Sequence, residues 1–173
     1  KYAADRVKQN LALTATGEGL DRIGNDNYTP RKQETSAVLT VDLIATNGTV
    51  IPVNHEFVGD SNGLRYKNNA EVTAAEGVAV LDLRCTAHGT DGNLDVTNTL
   101  SISAQIAGAE TQATVTAVDT LGVNEETDAD YRPRVLFAQR AITGGGNAAD
   151  HKIWGEAVEG VKMILPWSGR PDG

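Results

Sequence analysis

The sequence predicts an α+β chain in three parts: a short helical lead, an antiparallel β-sandwich-like domain, and an α/β piece that reads helix, helix, strand. Three observations carry this. The apolar period is helical at the start and changes to two from about Thr35. From there to Val118, apolar runs recur roughly every 8–12 residues between glycine and asparagine turns. From Glu125 to Trp167 the helical period returns, interrupted by Gly144, Gly145 and Gly146. The expected boundaries are 1–34, 35–118 and 119–173.

In the lead, Ala3, Ala4, Val7 and Leu11 share one side of a helix over residues 1–13. Thr14 to Gly19 break that pattern, and Leu20 and Ile23 suit a second, short helix closed by Gly24. Tyr28, Thr29 and Pro30 read as an extended connection.

The β region opens with Ala37, Leu39, Val41 and Leu43 alternating with Val38, Thr40 and Asp42, as in a half-buried strand. Asn47-Gly48 is a hairpin turn signal. Pro52 marks Val50 to Val53 as an edge strand, because proline cannot donate to a ladder. Phe57 and Val58, a turn over Asp60 to Gly63, then Leu64 and Tyr66, and Val72 give further short strands. The strongest strand signal is Val78 to Cys85, with Val78, Val80, Leu81, Leu83 and Cys85 as its apolar set. Gly89 to Asn93 form a loop before strands at Leu100 and Ile102 and at Ala113 to Val118. Strands at this spacing suit an antiparallel sandwich or a barrel-like domain.

In the last part, Tyr131, Val135, Ala138 and Ile142 form one apolar stripe, widened by Leu136 and Phe137. Glu125, Glu126, Asp128 and Asp130 suit the positive end of a helix dipole. Pro133 belongs in a first turn, which places the regular helix start near Asp130. The glycine triplet ends this helix, and Asn147 with Asp150 caps the next, whose inner face is Ile153, Trp154, Ala157 and Val158. Gly160 stops it, and Val161 to Leu165 alternate as a short strand closed by Pro166.

The 173 residues suffice for a real core. The chain starts without methionine and ends in SGRPDG, which suggests a piece of a longer protein. Its net charge of -8 argues against nucleic acid and against an anionic membrane surface. No apolar run approaches the ~20 residues of a membrane span. The single cysteine, Cys85, sits in a strand pattern and reads as a small core residue.

No constellation supports catalysis, a cofactor or a metal. His55, His88 and His151 lack ligand spacing, and one cysteine cannot build a thiolate site. Asp91, Asn93 and Asp95 mimic the opening of a calcium loop, but Val96 replaces its glycine and Ile102 its closing glutamate. A β-turn with Asx bonding is the better reading. Gly144 to Gly146 follow a helix and precede no lysine, unlike a phosphate loop. There is no GxSxG. The acids from Glu125 to Asp130 read as a solvated helix start rather than a glycosidase pair, which needs burial to separate its two carboxyls.

Several separated pieces carry a family signal. Gly17, Glu18, Leu20 and Asp21 precede Arg31. The run GTVIPVNHEF, followed by Gly63, Leu64 and Tyr66, matches a pattern "GTxIPxGTxF … GxxY", with Asn54 and His55 at its Gly and Thr. Gly89, Gly92 and Asn93 match "GxxGN" ahead of Leu100. Acids ahead of Arg132, Arg134 and Val135, then the glycine triplet, Asp150, Trp154, Val158, Gly160 and Val161, match "ExDxxxRxRV … GGG … DxxxWaxxVxGV". In this the chain resembles the baseplate J-like proteins, wedge components of contractile, Mu-like phage tail baseplates. It departs from the pattern at Pro133, inside the family's helix, and at His151, where tyrosine is common.

The resemblance implies a virion structural protein without catalytic residues. It is assembled in the bacterial host cytoplasm and acts by assembly and interface rearrangement. The implied partners are other baseplate wedge and hub proteins. Residues 119–173 are expected to self-associate or else to fray, because a lone strand there cannot satisfy its own backbone. The competing reading is a carbohydrate-binding β-sandwich module of a surface or secreted protein. Four Tyr, two Phe and two Trp, few of them in the β region, supply a stacking platform poorly.

Overall fold

The computed structural model describes residues 7–140 and 148–166. The residues group into two compact units, one formed by Lys1–Lys32 with Glu126–Gly173 and the other by Gln33–Glu125. The chain is α+β, as expected, but the β domain is a closed barrel rather than a sandwich.

The barrel unit contains β1 (Val38–Ala45), β2 (Val50–Ile51), β3 (Glu56–Gly59), β4 (Arg65–Asn68), β5 (Val72–Thr73), β6 (Val78–Cys85), β7 (Thr99–Ile102) and β8 (Ala109–Thr120). Six strands close in the order β1-β6-β4-β3-β7-β8, all antiparallel, while β2 and β5 pair separately. Closure comes from β1, which pairs with β6 on one side and β8 on the other. The β1–β8 ladder has three register shifts, and such irregularities bend a strand and increase its twist. A sandwich and a barrel alternate inward and outward alike. What separates them is the pairing of β1 with a strand far along the chain.

The core follows the pleat. Leu39, Val41 and Leu43 on β1, Phe57, Tyr66, Leu100, Ala113 and Val115 all point inward. On β6 the inward set is Ala79, Leu81, Leu83 and Cys85, so Val78 and Val80 are outward, contrary to the apolar set expected there. Asn47-Gly48 does turn the chain, with Gly48 at φ 85°, but it leads into β2 and the small sheet rather than back along β1. Pro52 directly follows β2, the edge strand it signals.

In the other unit the described chain begins at Val7, and most of the helix expected over 1–13 lies outside the described residues. Val7 and Leu11 are exposed, while Ala12 and Ala15 are buried. The first complete helix is α1 (Glu18–Asp26), which runs through Gly24 instead of stopping there. A side chain at Gly24 would collide with the Tyr131 hydroxyl, so this glycine makes room rather than ends a helix.

Helix α2 (Asp128–Arg140) starts two residues before the expected Asp130. Thr127 explains this: its hydroxyl accepts from the Asp130 amide at 3.2 Å and donates to the Asp130 carboxylate at 2.8 Å. Pro133 is tolerated inside the helix at the loss of one backbone bond. Tyr131 and Val135 are fully buried with Leu20 and Ile23, as the stripe requires, whereas Ile142 lies outside the described residues.

Helix α3 (Ala148–Glu156) turns differently from expectation. Trp154 and Val158 are exposed, and the buried positions are Asp150 and Glu156. Asn147 and Gly144 to Gly146 lie outside the described residues. Residues 161–166 form no strand. They are irregular, held by the Ile164 amide donating to Glu156 Oε1 at 3.1 Å and by Ile164 packing against Gly155. Gly160, at φ 83°, makes the turn between.

Candidate functional site

Many of the residues that carry the family signal gather in two places, whereas Trp154 and Val158 are exposed and the glycine triplet lies outside the described residues. In the helical unit one group surrounds Tyr131. The Arg31 side chain is 7% exposed and reaches Asp21 at 2.7 Å and Asp128 at 2.5 Å. It also donates to the Glu126 carbonyl at 2.6 Å and lies 4.7 Å from the Tyr131 ring centre. Burial works against its charge, but the Asp128 and Asp21 carboxylates outweigh that and raise its pKa above the ordinary value. Arg134 pairs with Glu126 at 2.5 Å and lies over the same ring, 5.7 Å from its centre. Arg132 donates to the carbonyls of Ala12 and Ala15 at 2.6 and 2.7 Å.

This clasp ties residues 12–31 to the start of α2. Tyr131 completes it by donating from its hydroxyl to the Thr29 carbonyl at 2.7 Å. Burial, then the Asp21 charge, pushes the Tyr131 pKa up, so the phenol stays a donor. Asp128 accepts from the Gly17 amide at 3.0 Å. That bond first, and Arg31 next, hold its carboxyl below the usual range. Lys32 donates to the carbonyls of Val161 and Lys162, which fastens the segment after α3.

The second place is one end of the barrel. Tyr66 is buried and donates to the Gly92 carbonyl at 2.7 Å, and Asn62 bonds both the Tyr66 hydroxyl and the Asp91 carbonyl. Burial pushes the Tyr66 phenol up to about 12. Gly92 lies so close to Cys85 that a Cβ there would sit 2.7 Å from its sulfur. Asn93 clamps Gly122 from both sides, donating to its carbonyl at 3.0 Å and accepting from its amide at 2.6 Å. Asn124 accepts from the Thr90 amide at 2.9 Å. The "GxxY" and "GxxGN" residues are therefore backbone locks. Asn54 adopts φ 61°, a left-handed conformation that explains glycine at this place in the pattern.

The residues weighed for chemistry stay apart. His55 packs edge-on to Phe57 at 5.4 Å, His151 edge-on to Trp154 at 5.6 Å, and His88 lies 3.4 Å from Glu34 on the surface. Among the described residues no three His, Cys, Asp or Glu side chains are grouped as metal ligands would be. Asn93 spends its side chain on Gly122. Of the helix-start acids, Glu126, Asp128 and Asp130 are engaged by Arg134, Arg31 and Thr127. The clasp itself was not foreseen from the sequence. Its only signal was the co-occurrence of Asp21, Arg31 and the later acid–arginine run in one family pattern.

Residues 39–123 match the model described as "Baseplate J-like protein barrel domain". The chain is 29% identical over 131 residues to the Mu-like prophage FluMu protein gp47 of Haemophilus influenzae, covering 76% of this chain and 37% of that protein. It is 32% identical over 161 residues to the phage-like element PBSX protein XkdT of Bacillus subtilis, and 30% identical over 159 residues to the uncharacterized protein YqbT of the same organism. Each of these two alignments covers 90% of this chain and 42% of the relative. The chain thus spans well under half the length of these curated relatives. With the barrel matched as a domain and the flanking helical unit aligned in the longer relatives, the chain belongs to the baseplate J-like family.

Proposed function

We propose that this chain is part of a structural protein of a contractile phage tail baseplate, a wedge subunit that works by assembly and by rearrangement of its interfaces. The observation that carries the reading is the fate of the family's signature residues. Those around Tyr66 and around Tyr131 lock backbone and clasp segments together rather than line a reactive cleft. A rigid barrel with a clasped helical unit suits a part whose output is geometry. The names of two relatives, a Mu-like prophage protein and a phage-like element protein, support the same setting. On this reading the protein is not an enzyme, is assembled in the host cytoplasm and resides in the virion tail. Its partners are wedge and hub proteins and copies of itself, with neither nucleic acid nor membrane among them. Trp154, Val158, Met163 and Leu165, each more than half exposed, offer apolar surface for self-association.

The carbohydrate-binding alternative loses its platform. The barrel's Phe57 and Tyr66 are both fully buried, so its outer face has no phenylalanine, tyrosine or tryptophan ring to stack on a sugar. Localisation tests the proposal. An epitope inserted in the exposed loop at residues 103–105 of the full-length protein should be labelled by immunogold at the tail tip of induced particles. Label that stays in the particle-free fraction, with normal tails assembled, would refute it.

A further inference from the structure

The barrel's outer wall carries an apolar groove that its own core does not require. Outward positions on a barrel strand facing water are normally polar, and Asp82 and Arg84 on β6 conform. Val80 does not: it is 55% exposed. Across the ladder Asp42 faces Val80, and Ile44, 54% exposed, faces Val78. The β5 strand and the turn after it stand beside this patch, fixed by the Ala75–Val78 bridge. Asp42, Val72, Thr73, Glu76, Val78 and Val80 line an open groove of about 470 Å³. That falls within the roughly 300–1,000 Å³ of ligand-sized clefts.

The groove has one sign of charge. Its lining includes the carboxylates of Asp42 and Glu76 and no lysine or arginine, and Asp82 is the next outward residue along β6. Glu76 holds φ 55°, a conformation non-glycine residues rarely take, between the two backbone bonds that join Ala75 and Val78 at 3.0 Å each. We propose that this groove docks a segment of a partner protein in which an apolar side chain is flanked by lysine or arginine. The apolar side chain covers Val78 and Val80, and the cations meet Asp42 and Glu76. A second copy of this chain suits this acidic groove less well than a basic segment does, because the chain itself carries a net charge of -8; self-association through the apolar surface at residues 154–165 does not use the groove. The proposal rests on the assembly reading and gives the chemistry of one partner.

Isotope-labelled protein titrated with two synthetic peptides, acetyl-Lys-Leu-Val-Lys-amide and acetyl-Glu-Leu-Val-Glu-amide, tests it by amide shifts. The lysine peptide should move resonances of residues 42–44 and 72–80 saturably, and the glutamate peptide should not. Salt at about 1 M, where the screening length falls to about 3 Å, should weaken binding several-fold. Val80→Lys should abolish the shifts while leaving the rest of the spectrum in place, since the side chain is half exposed. Glu76→Gln, which keeps the shape, should weaken binding about two- to fivefold. Absence of shifts with the lysine peptide, equal shifts with both peptides, or shifts elsewhere on the barrel overturn the proposal. So does movement of the same resonances when the protein alone is concentrated, which would mark a second copy as occupant. None of these outcomes touches the tail-tip labelling, so the groove and the assembly reading fail separately.

Discussion

Single backbone positions hold the barrel end and the turns in place, and they differ in what they tolerate. Asn54 sits at φ 61°, where asparagine is accepted and a β-branched residue is not. Asn54→Gly should change stability by less than about 0.5 kcal/mol, whereas Asn54→Val should cost about 1–2 kcal/mol in urea denaturation. Gly122 is constrained by space instead. A Cβ there meets the Gly89 carbonyl and, at 3.0 Å, the Ala37 amide, both backbone atoms that cannot rotate away. Gly122→Ala should therefore cost at least about 2 kcal/mol. Gly48→Ala, with open space around it but φ 85°, should cost only about 1 kcal/mol. Equal effects at the two glycines would show that the close approach at Gly122 is not what constrains it.

At the scale of elements, the clasp decides whether α1 and the chain before it stay on α2. Arg31→Met keeps much of the stem's packing but leaves Asp21 and Asp128 without their cation. Both carboxylates are about a third exposed, so the expected cost is about 2–3 kcal/mol, below that of a fully buried pair. The loss should appear as faster amide exchange over residues 18–26, with the barrel strands unchanged. The clasp also gives a pH signature. Because Asp128 has a lowered folded pKa, its contribution is complete above its unfolded value of about 4 and is lost as pH falls through the folded one. Asp128→Asn should lower the melting temperature at neutral pH and bring mutant and wild type together in acid. A constant gap across that range would remove the carboxylate from the argument. These elements were unequally legible in the sequence. Period two disclosed β1 and β6, but β6 is apolar on both faces at Val78 to Leu81, so its phase did not say that Val80 points outward. Gly24 read as a stop because nothing nearby in sequence announces the Tyr131 hydroxyl that needs its space. Trp154 read as buried because an apolar face ordinarily turns inward, and here it does not.

For the whole molecule, the two units differ in how they resist opening. In the barrel, closure pairs β1 on both sides and leaves none of its six strands as an edge, and the core runs continuously from Ala37 to Val115. The described core of the helical unit is smaller, centred on Leu20, Ile23, Tyr131 and Val135, and supported by ion pairs. Residues 148–166 bury no apolar side chain fully; their contacts include the Lys32 tether, the Glu156–Ile164 bond, Lys152 over the Phe137 ring at 4.8 Å, and Ile164 against Gly155. Local stability follows buried apolar contact and protected backbone bonds. Native-state hydrogen exchange should therefore resolve three tiers, with amides of β1, β6 and β8 slowest, α1 and α2 intermediate, and 148–166 fastest. Val161 to Leu165 make no ladder, and Met163 and Leu165 are 64% and 77% exposed. In a dilute, monomeric sample the amides of Lys162, Met163 and Leu165 should exchange close to the unprotected rate, while those of Val161 and Ile164 are slowed by their bonds to the Val158 carbonyl and to Glu156. If copies of the chain pair through this surface, protection there should rise with protein concentration while the barrel tier stays constant. Strong protection of Val161 to Leu165 in the dilute monomer would place their stability within one chain and exclude this surface as the route to self-association.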